Sequence, residues 1–150
     1  MDKPHVFLDT SVIFAGVLSA TGGARAILKL GEVEAVSLWV GAQVLKEIDE
    51  VIAEKHPNTR VQMALLLDTS NIQVGQPANE EHKQQITSYM TYAPDAHVLA
   101  EALATNVDYF VTLDRKHFLD NQPLRESLSI QIGTPGDFLA WYRAHLTPNL

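Results

Sequence analysis

The sequence predicts an α/β domain built on a mainly parallel sheet. Three observations carry that expectation. Short apolar runs of strand length alternate with longer stretches of helical periodicity. Two of those runs, "HVFLD" (5–9) and "DYFVTLD" (108–114), are largely apolar and end in an aspartate, as strands buried on both faces of a parallel sheet can. The chain of 150 residues contains no linker, solenoid repeat or low-complexity tract, so it suits one domain with a single core, burying roughly 70% of its extended-chain surface.

The elements follow in order. Residues 4–8 form a first strand closed by Asp9, "SVIFAGVLS" a helix, and "SATGG" (19–23) a turn opening a second helix, "ARAILKL". "EAVSLWV" (34–40) is a second strand, rich in residues that suit a pleated surface. "GAQVLKEIDEVIAEK" sets Val44, Leu45, Ile48, Val51 and Ile52 at helical spacing, and Pro57 ends it. "TRVQMALLLDT" reads as a helix, "NIQV" as a short strand and "NEEHKQQITSYM" as a polar helix. "PDAHVLAEALATN" opens with Pro and Asp, a helix-start signature, and runs directly into the strand "DYFVTLD". "SIQIG" is a last strand. In the final helix, "TPGDFLAWYRAHL", Phe138, Leu139, Tyr142 and Leu146 share one side, for the core or a dimer contact.

Composition removes several function classes. Zero cysteines exclude disulfides, thiolate metal sites and cysteine nucleophiles. There is no Walker loop or G-x-G-x-x-G, so nucleotide-cofactor binding is not expected. "MDKPHVFLD" lacks the apolar region of a signal peptide, and no run approaches the roughly 20 apolar residues of a membrane span. A soluble, cytoplasmic domain with no membrane partner is the expectation. The net charge of −7 argues against a broad phosphate-binding face.

The acids give the chemistry. Carboxyl ends of parallel strands share one edge, where ligand crevices lie, so Asp9 and Asp114 meet there if their strands are neighbours. Thr10 and Ser11 follow Asp9, and Thr112 precedes Asp114 by two residues; such hydroxyls can orient a carboxylate. Glu47 falls nearly in line with Val44 and Val51, at the border of its helix's apolar stripe, although Asp49 borders the opposite margin. Asp95 lies in the first turn of its helix, where it also suits the helix dipole. Carboxylates brought this close repel, and a hard divalent cation with a preference for oxygen ligands relieves the repulsion. Four acids at an open crevice suit Mg²⁺ or Mn²⁺ and the hydrolysis of a phosphodiester. The letters LDTS recur at 67–70, but Asp68 follows a helical stretch and enters a short strand, in ordinary turn chemistry at the opposite edge.

"FLDTSVIF", "VLKEIDEV" and "APDAHVLAEALATNVDYFVTLD", with the chain length, resemble the PIN-domain nucleases. Many compact members are toxins of VapBC-type toxin–antitoxin pairs. The resemblance covers nearly the whole chain and is strongest over 94–114. It implies a three-layer α/β/α fold with a parallel sheet between helices, formed by residues 1–150 as one domain. It also implies cleavage of single-stranded RNA by acids that chelate Mg²⁺ or Mn²⁺. The family's first acid, in its hydrophobic-D-T-S pattern, falls on Asp9 and its helical glutamate on Glu47. The acid opening the helix before the last long strand falls on Asp95, and the T-x-D pattern on Thr112 and Asp114. A cognate antitoxin and a homodimer are the partners it implies. Where many members carry a further acid two residues after the last aspartate, this chain has Lys116, which leaves a second metal position less supported than the first.

Arg25, in "TGGAR" at a helix start, and Lys46, Arg115 and Lys116, near the acids in sequence, are candidate contacts to the RNA backbone. Each also reads as solvated surface charge, and "TGGAR" as a plain turn. The six histidines show no paired metal-ligand spacing, so surface or core roles are expected; His117 stands out because it follows Asp114 closely. Two divalent ions would bring the net charge from −7 to −3, which leaves room for a metal-centred phosphate site. Two rivals remain. A haloacid-dehalogenase-type phosphatase would use Asp9 as nucleophile, but wants an aspartate where this chain has Ser11. A PIN-like RNA-binding or scaffold module without turnover differs only in activity.

Overall fold

The computed structural model describes residues 2–55 and 57–146. In chain order the elements are β1 (His5–Leu8), α1 (Thr10–Leu18), α2 (Gly23–Glu32), β2 (Ser37–Val40), α3 (Ala42–Lys55), α4 (Arg60–Thr69), β3 (Gln73–Val74), α5 (Glu80–Thr87), α6 (Ala93–Thr105), β4 (Tyr109–Val111), α7 (Gln122–Ser127), β5 (Gln131–Gly133) and α8 (Pro135–Leu146). A 3-10 turn at Pro57–Thr59 precedes α4, and a π-helix spans Arg115–Leu119.

All four strand pairings are parallel, and the order across the sheet is β3-β2-β1-β4-β5. Helices flank the sheet in a three-layer α/β/α arrangement, as the alternation of the sequence predicts. Val6, Phe7 and Leu8 of β1 and Phe110 and Val111 of β4 are fully buried, which is why these runs are apolar on both faces. Phe7 stacks on Phe110, and Phe110 meets Phe118 of the π-helix with ring centroids 5.0 Å apart. Each such buried side chain contributes about 1.5–3 kcal/mol of hydrophobic stabilisation.

The order of strands places the site. From β1 the chain builds outward through β2 and β3, then crosses to the other side of β1 for β4 and β5. The winding therefore reverses between β1 and β4, and a crevice opens beyond their carboxyl ends. The register pairs Leu8 with Val111, and the Asp9 amide donates to the Val111 carbonyl at 3.0 Å. Asp9 and Thr112 leave the sheet side by side.

Some expectations shift. The strand expected over 34–40 begins only at Ser37, because Glu34 turns left-handed (φ 59°) and Ala35 bonds back to the Leu30 carbonyl at 2.9 Å, extending the end of α2. The segment 115–127, given no element from sequence, forms the π-helix and α7. In α8, Phe138 and Tyr142 are buried in the core while Leu146 is 55% exposed. No single described helix is long and apolar enough to cross a membrane; α1 with α2 reaches that length only as a pair bent by 94°. His56 lies outside the described residues.

Candidate active site

Asp9 is 5% exposed at the carboxyl end of β1. Its Oδ2 accepts the Thr112 hydroxyl at 2.7 Å and the Ser11 hydroxyl at 3.0 Å. Thr112 Oγ1 in turn accepts the Asp114 amide at 3.0 Å, and Ser11 Oγ accepts the Leu113 amide at 3.1 Å. These two hydroxyls therefore tie the ends of β1 and β4 together through the Asp9 carboxylate. Burial pushes the Asp9 pKa up, against the lowering effect of its bonds to Thr112 and Ser11.

Glu47 reaches the same edge from α3. The Thr10 hydroxyl donates to its Oε2 at 2.5 Å and the Gln43 amide to its Oε1 at 3.2 Å. The helix that carries it is anchored by a residue the sequence reading passed over. Glu101, 1% exposed on α6, accepts the backbone amides of Ala42 (2.9 Å) and Gln43 (3.0 Å), the unpaired donors of the first turn of α3. Gly41 permits this approach, since a Cβ there would lie 2.6 Å from the Glu101 carboxyl carbon. The available signal was a charged residue inside the apolar run "AHVLAEAL".

Asp95 opens α6 after Pro94, and Asp114 caps the π-helix by accepting the His117 amide at 3.1 Å. His117 completes a cluster with both: oxygen and nitrogen atoms of Asp95, Asp114 and His117 lie within 4.8 Å of one another. His117 Nδ1 is 2.9 Å from Asp95 Oδ2 and 2.9 Å from Asp114 Oδ2. Hydrogen-bonding geometry is met toward Asp114. Asp95 Oδ2 is left buried and without a hydrogen bond. The expected quartet thus divides: Asp95 and Asp114 converge tightly with a histidine expected to be ordinary, while Asp9 and Glu47 lie outside that cluster but near enough for their charges to act on Asp95.

The electrostatics show one group near the others. Burial, then the charge of Asp9, raises the Asp95 pKa to about 7, with Asp114 and Glu47 adding to the rise and His117 opposing it. Burial also acts to raise Asp114, but hydrogen bonds from the His117 side chain and backbone outweigh it and hold that carboxyl below its ordinary value. A buried Asp95 oxygen without a hydrogen bond, among carboxylates that disfavour one another's charge, fits the donor set of a cation site. The oxygen-rich donor set suits Mg²⁺ or Mn²⁺.

The candidate cations are distributed unevenly. Arg25 is turned to its own fold: Nε donates to the Gly16 carbonyl at 2.6 Å and Nη2 to the Val17 carbonyl at 3.4 Å, capping the end of α1. Lys46 is exposed beside Asp49 and Arg60, and Arg115 pairs with Asp120 at 3.6 Å. Lys116 is exposed next to His117 and lines a cleft with it. Asp68 is exposed in the last turn of α4 rather than in a loop, at the amino-terminal approach to β3.

The family model of the PIN domain matches residues 5–116. No curated protein matches the chain. Among solved structures, VapBC2 from Rickettsia felis, crystallised bound to a DNA fragment from its promoter, superposes with TM-score 0.64 at 13% identity, covering 85% of this chain and 96% of that one. PAE2754 from Pyrobaculum aerophilum superposes with TM-score 0.58 at 14% identity, covering 93% and 90%. Identities this low speak for the fold alone. The family match spans β1 through β4 and includes Asp9, Glu47, Asp95 and Asp114. The chain belongs to the PIN-domain family.

Proposed function

We propose that this protein is a divalent-metal-dependent endoribonuclease that hydrolyses phosphodiester bonds of single-stranded RNA, and that it is the toxin of a type II toxin–antitoxin pair acting in the cytoplasm. The observation that carries the reading is the meeting of Asp95 and Asp114 at the reversal of the sheet, with an orphaned Asp95 oxygen and with Asp9 and Glu47 close enough to oppose its charge. Asp95 and Asp114 would hold Mg²⁺ or Mn²⁺, with Asp9 and Glu47 completing the acidic wall. Bound there, the ion supplies charge that polarises a phosphate oxygen and lowers the pKa of water.

The chain's own residues set the geometry. Thr112 and Ser11 fix the Asp9 carboxylate, Thr10 and Gln43 fix Glu47, and His117 fixes Asp114. Lys116 and Lys46 are exposed cations for flanking RNA phosphates, and Arg115 is a third once it leaves Asp120. With Arg25 engaged by α1, the basic contribution is small, which agrees with a net charge of −7 and a site that grips phosphate mainly through metal.

Family membership and the likeness in fold to VapBC2 support a cognate antitoxin as partner, and a homodimer follows from the commonest symmetry of small proteins. Incubation of an RNA pool with Mn²⁺, with EDTA, and with the Asp9→Asn protein tests the activity. Cleavage should require metal and be lost in the variant. A folded, metal-binding protein that leaves RNA intact would hand the chain to the scaffold reading. Sedimentation showing only a 16.6 kDa species would end the dimer.

A further inference from the structure

Beside the acid cluster lies a cleft of about 390 Å³, lined by Tyr89, Tyr92, Lys116, His117 and Asn121 among others. Its wall is aromatic. The Tyr92 ring stacks on the His117 imidazole with centroids 4.9 Å apart and planes 16° from parallel. Tyr92 remains 50% exposed and Tyr89 41% exposed, so both rings offer surface at the cleft. His117 is shared: Nδ1 lies 2.9 Å from both Asp95 and Asp114, while the ring borders the cleft.

The wall is braced by the fold. Tyr92 is the residue immediately before α6, three positions ahead of Asp95, so the helix that places the acid also places the ring. Asn121 Nδ2 donates to the Tyr89 carbonyl at 2.9 Å, and its Oδ1 caps α7 by accepting the Leu124 amide at 3.2 Å. The Asn121 side chain is thus spent on holding the Tyr89 segment to the π-helix region.

The geometry points to a nucleobase-stacking subsite: one base of the RNA strand, flanking the phosphate at the acid cluster, packs against Tyr89 and Tyr92, with Lys116 meeting the next phosphate. This inference rests on the ribonuclease reading and adds the part of the substrate that is gripped. Flat aromatic faces accept any base, and no carboxylate lines the cleft to repel the strand. Lys116 makes no ion pair among the described residues and supplies the one cation at the cleft. The chemistry is sequence-tolerant, so the subsite favours unpaired strands, whose bases are free to stack, over duplex.

The test uses the whole protein and a single-stranded oligoribonucleotide carrying 2-aminopurine, whose fluorescence falls on stacking. Binding is measured with Ca²⁺ in place of Mn²⁺ and cleavage with Mn²⁺. Wild type, Tyr89→Phe and Tyr92→Phe should quench the probe. Tyr89→Ala and Tyr92→Ala should lose quenching and bind about tenfold more weakly. Both alanine variants should keep the wild-type melting shift with Mn²⁺, which shows that the acid cluster survives. Unchanged affinity and quenching in both alanine variants would overturn the subsite, even if cleavage is intact. Quenched binding without any cleavage would sink the hydrolytic reading and leave the subsite standing. Neither binding nor cleavage by the folded wild type would end both.

Discussion

Thr112 donates its hydroxyl proton to Asp9 Oδ2 at 2.7 Å, joining residues 103 positions apart at the seam between β1 and β4. The same oxygen atom of Thr112 accepts the Asp114 amide, so one fully buried hydroxyl ties the aspartate after β1 to the one that caps the π-helix. The bond exists because the register brings Leu8 beside Val111, which puts the next residue of each strand within reach.

Thr112→Val keeps the shape and removes that hydroxyl. The Asp9 carboxylate, already disfavoured by burial, loses its shortest partner, at a cost of about 1–3 kcal/mol. Urea denaturation should show the loss, and Thr112→Ser should recover most of it. Equal stability of the valine and serine proteins would mean that Asp9 is held by other contacts.

Asp95 predicts an inverted pH dependence for the metal-free protein. Its folded pKa, about 7, exceeds the ordinary aspartate value of 3.8. The folded state therefore binds more protons between these values, and its stability falls as pH rises through that window. The raised pKa of Asp9 acts in the same direction, whereas lowered Asp114 contributes stability that is lost only as acid protonates it. Without metal, melting should be higher at pH 5.5 than at pH 8, by an amount on the order of a few kcal/mol in free energy. Mn²⁺ at pH 8 should restore it, and Asp95→Asn should flatten the metal-free profile. A metal-free protein more stable at pH 8, with Asp95→Asn no flatter, would contradict the crowding of these acids.

Glu101→Gln tests the anchor of α3. The neutral amide presents one acceptor and one donor to two backbone amides that both donate, leaving one of them unpaired in the interior. The expected loss is about 1–3 kcal/mol in denaturant unfolding, with weaker Mn²⁺ stabilisation because Glu47 rides on the same helix. Wild-type stability in this variant would show that water replaces the carboxylate there.

The parts of this molecule that a sequence can display are those with a period or a boundary. The apolar runs leading to Asp9 and Asp114 announce central parallel strands, and Pro94-Asp95 announces a helix start. The elements stand where expected, except that β4 stops at Val111 and Asp114 lies three residues beyond it, capping the π-helix. Val44 and Val51 placed Glu47 at the margin of its helix stripe, and the structure brings it to Thr10 at the crevice. His117 was less visible because its position depends on a five-residue π-helix pinned by Phe118, too short to show a pattern. Glu101 and Arg25 were obscured for another reason. Each spends its charge on backbone groups, those of a remote helix for Glu101 and of the preceding helix for Arg25, and backbone partners are marked by no residue type.

The repeated LDTS separates position from motif. Asp9 closes β1 at the reversal of the sheet, buried among Thr112, Ser11 and the acids that share its field. Asp68 has the same neighbours in sequence but lies exposed in the last turn of α4, where its carbonyl accepts the Asn71 amide at 3.1 Å as the chain turns into β3. That turn meets the sheet at the amino-terminal edge, opposite the crevice. Asp9→Asn preserves shape and removes one negative charge from the wall, so RNA cleavage should drop by orders of magnitude. The Mn²⁺ melting shift, worth about 2.7 kcal/mol at a hundredfold excess over Kd, should shrink with it. Asp68→Asn should leave cleavage within a few-fold of wild type and the metal shift unchanged. The reverse pattern in two folded proteins, with Asp68→Asn inactive and Asp9→Asn active, would place the chemistry at the other edge of the sheet.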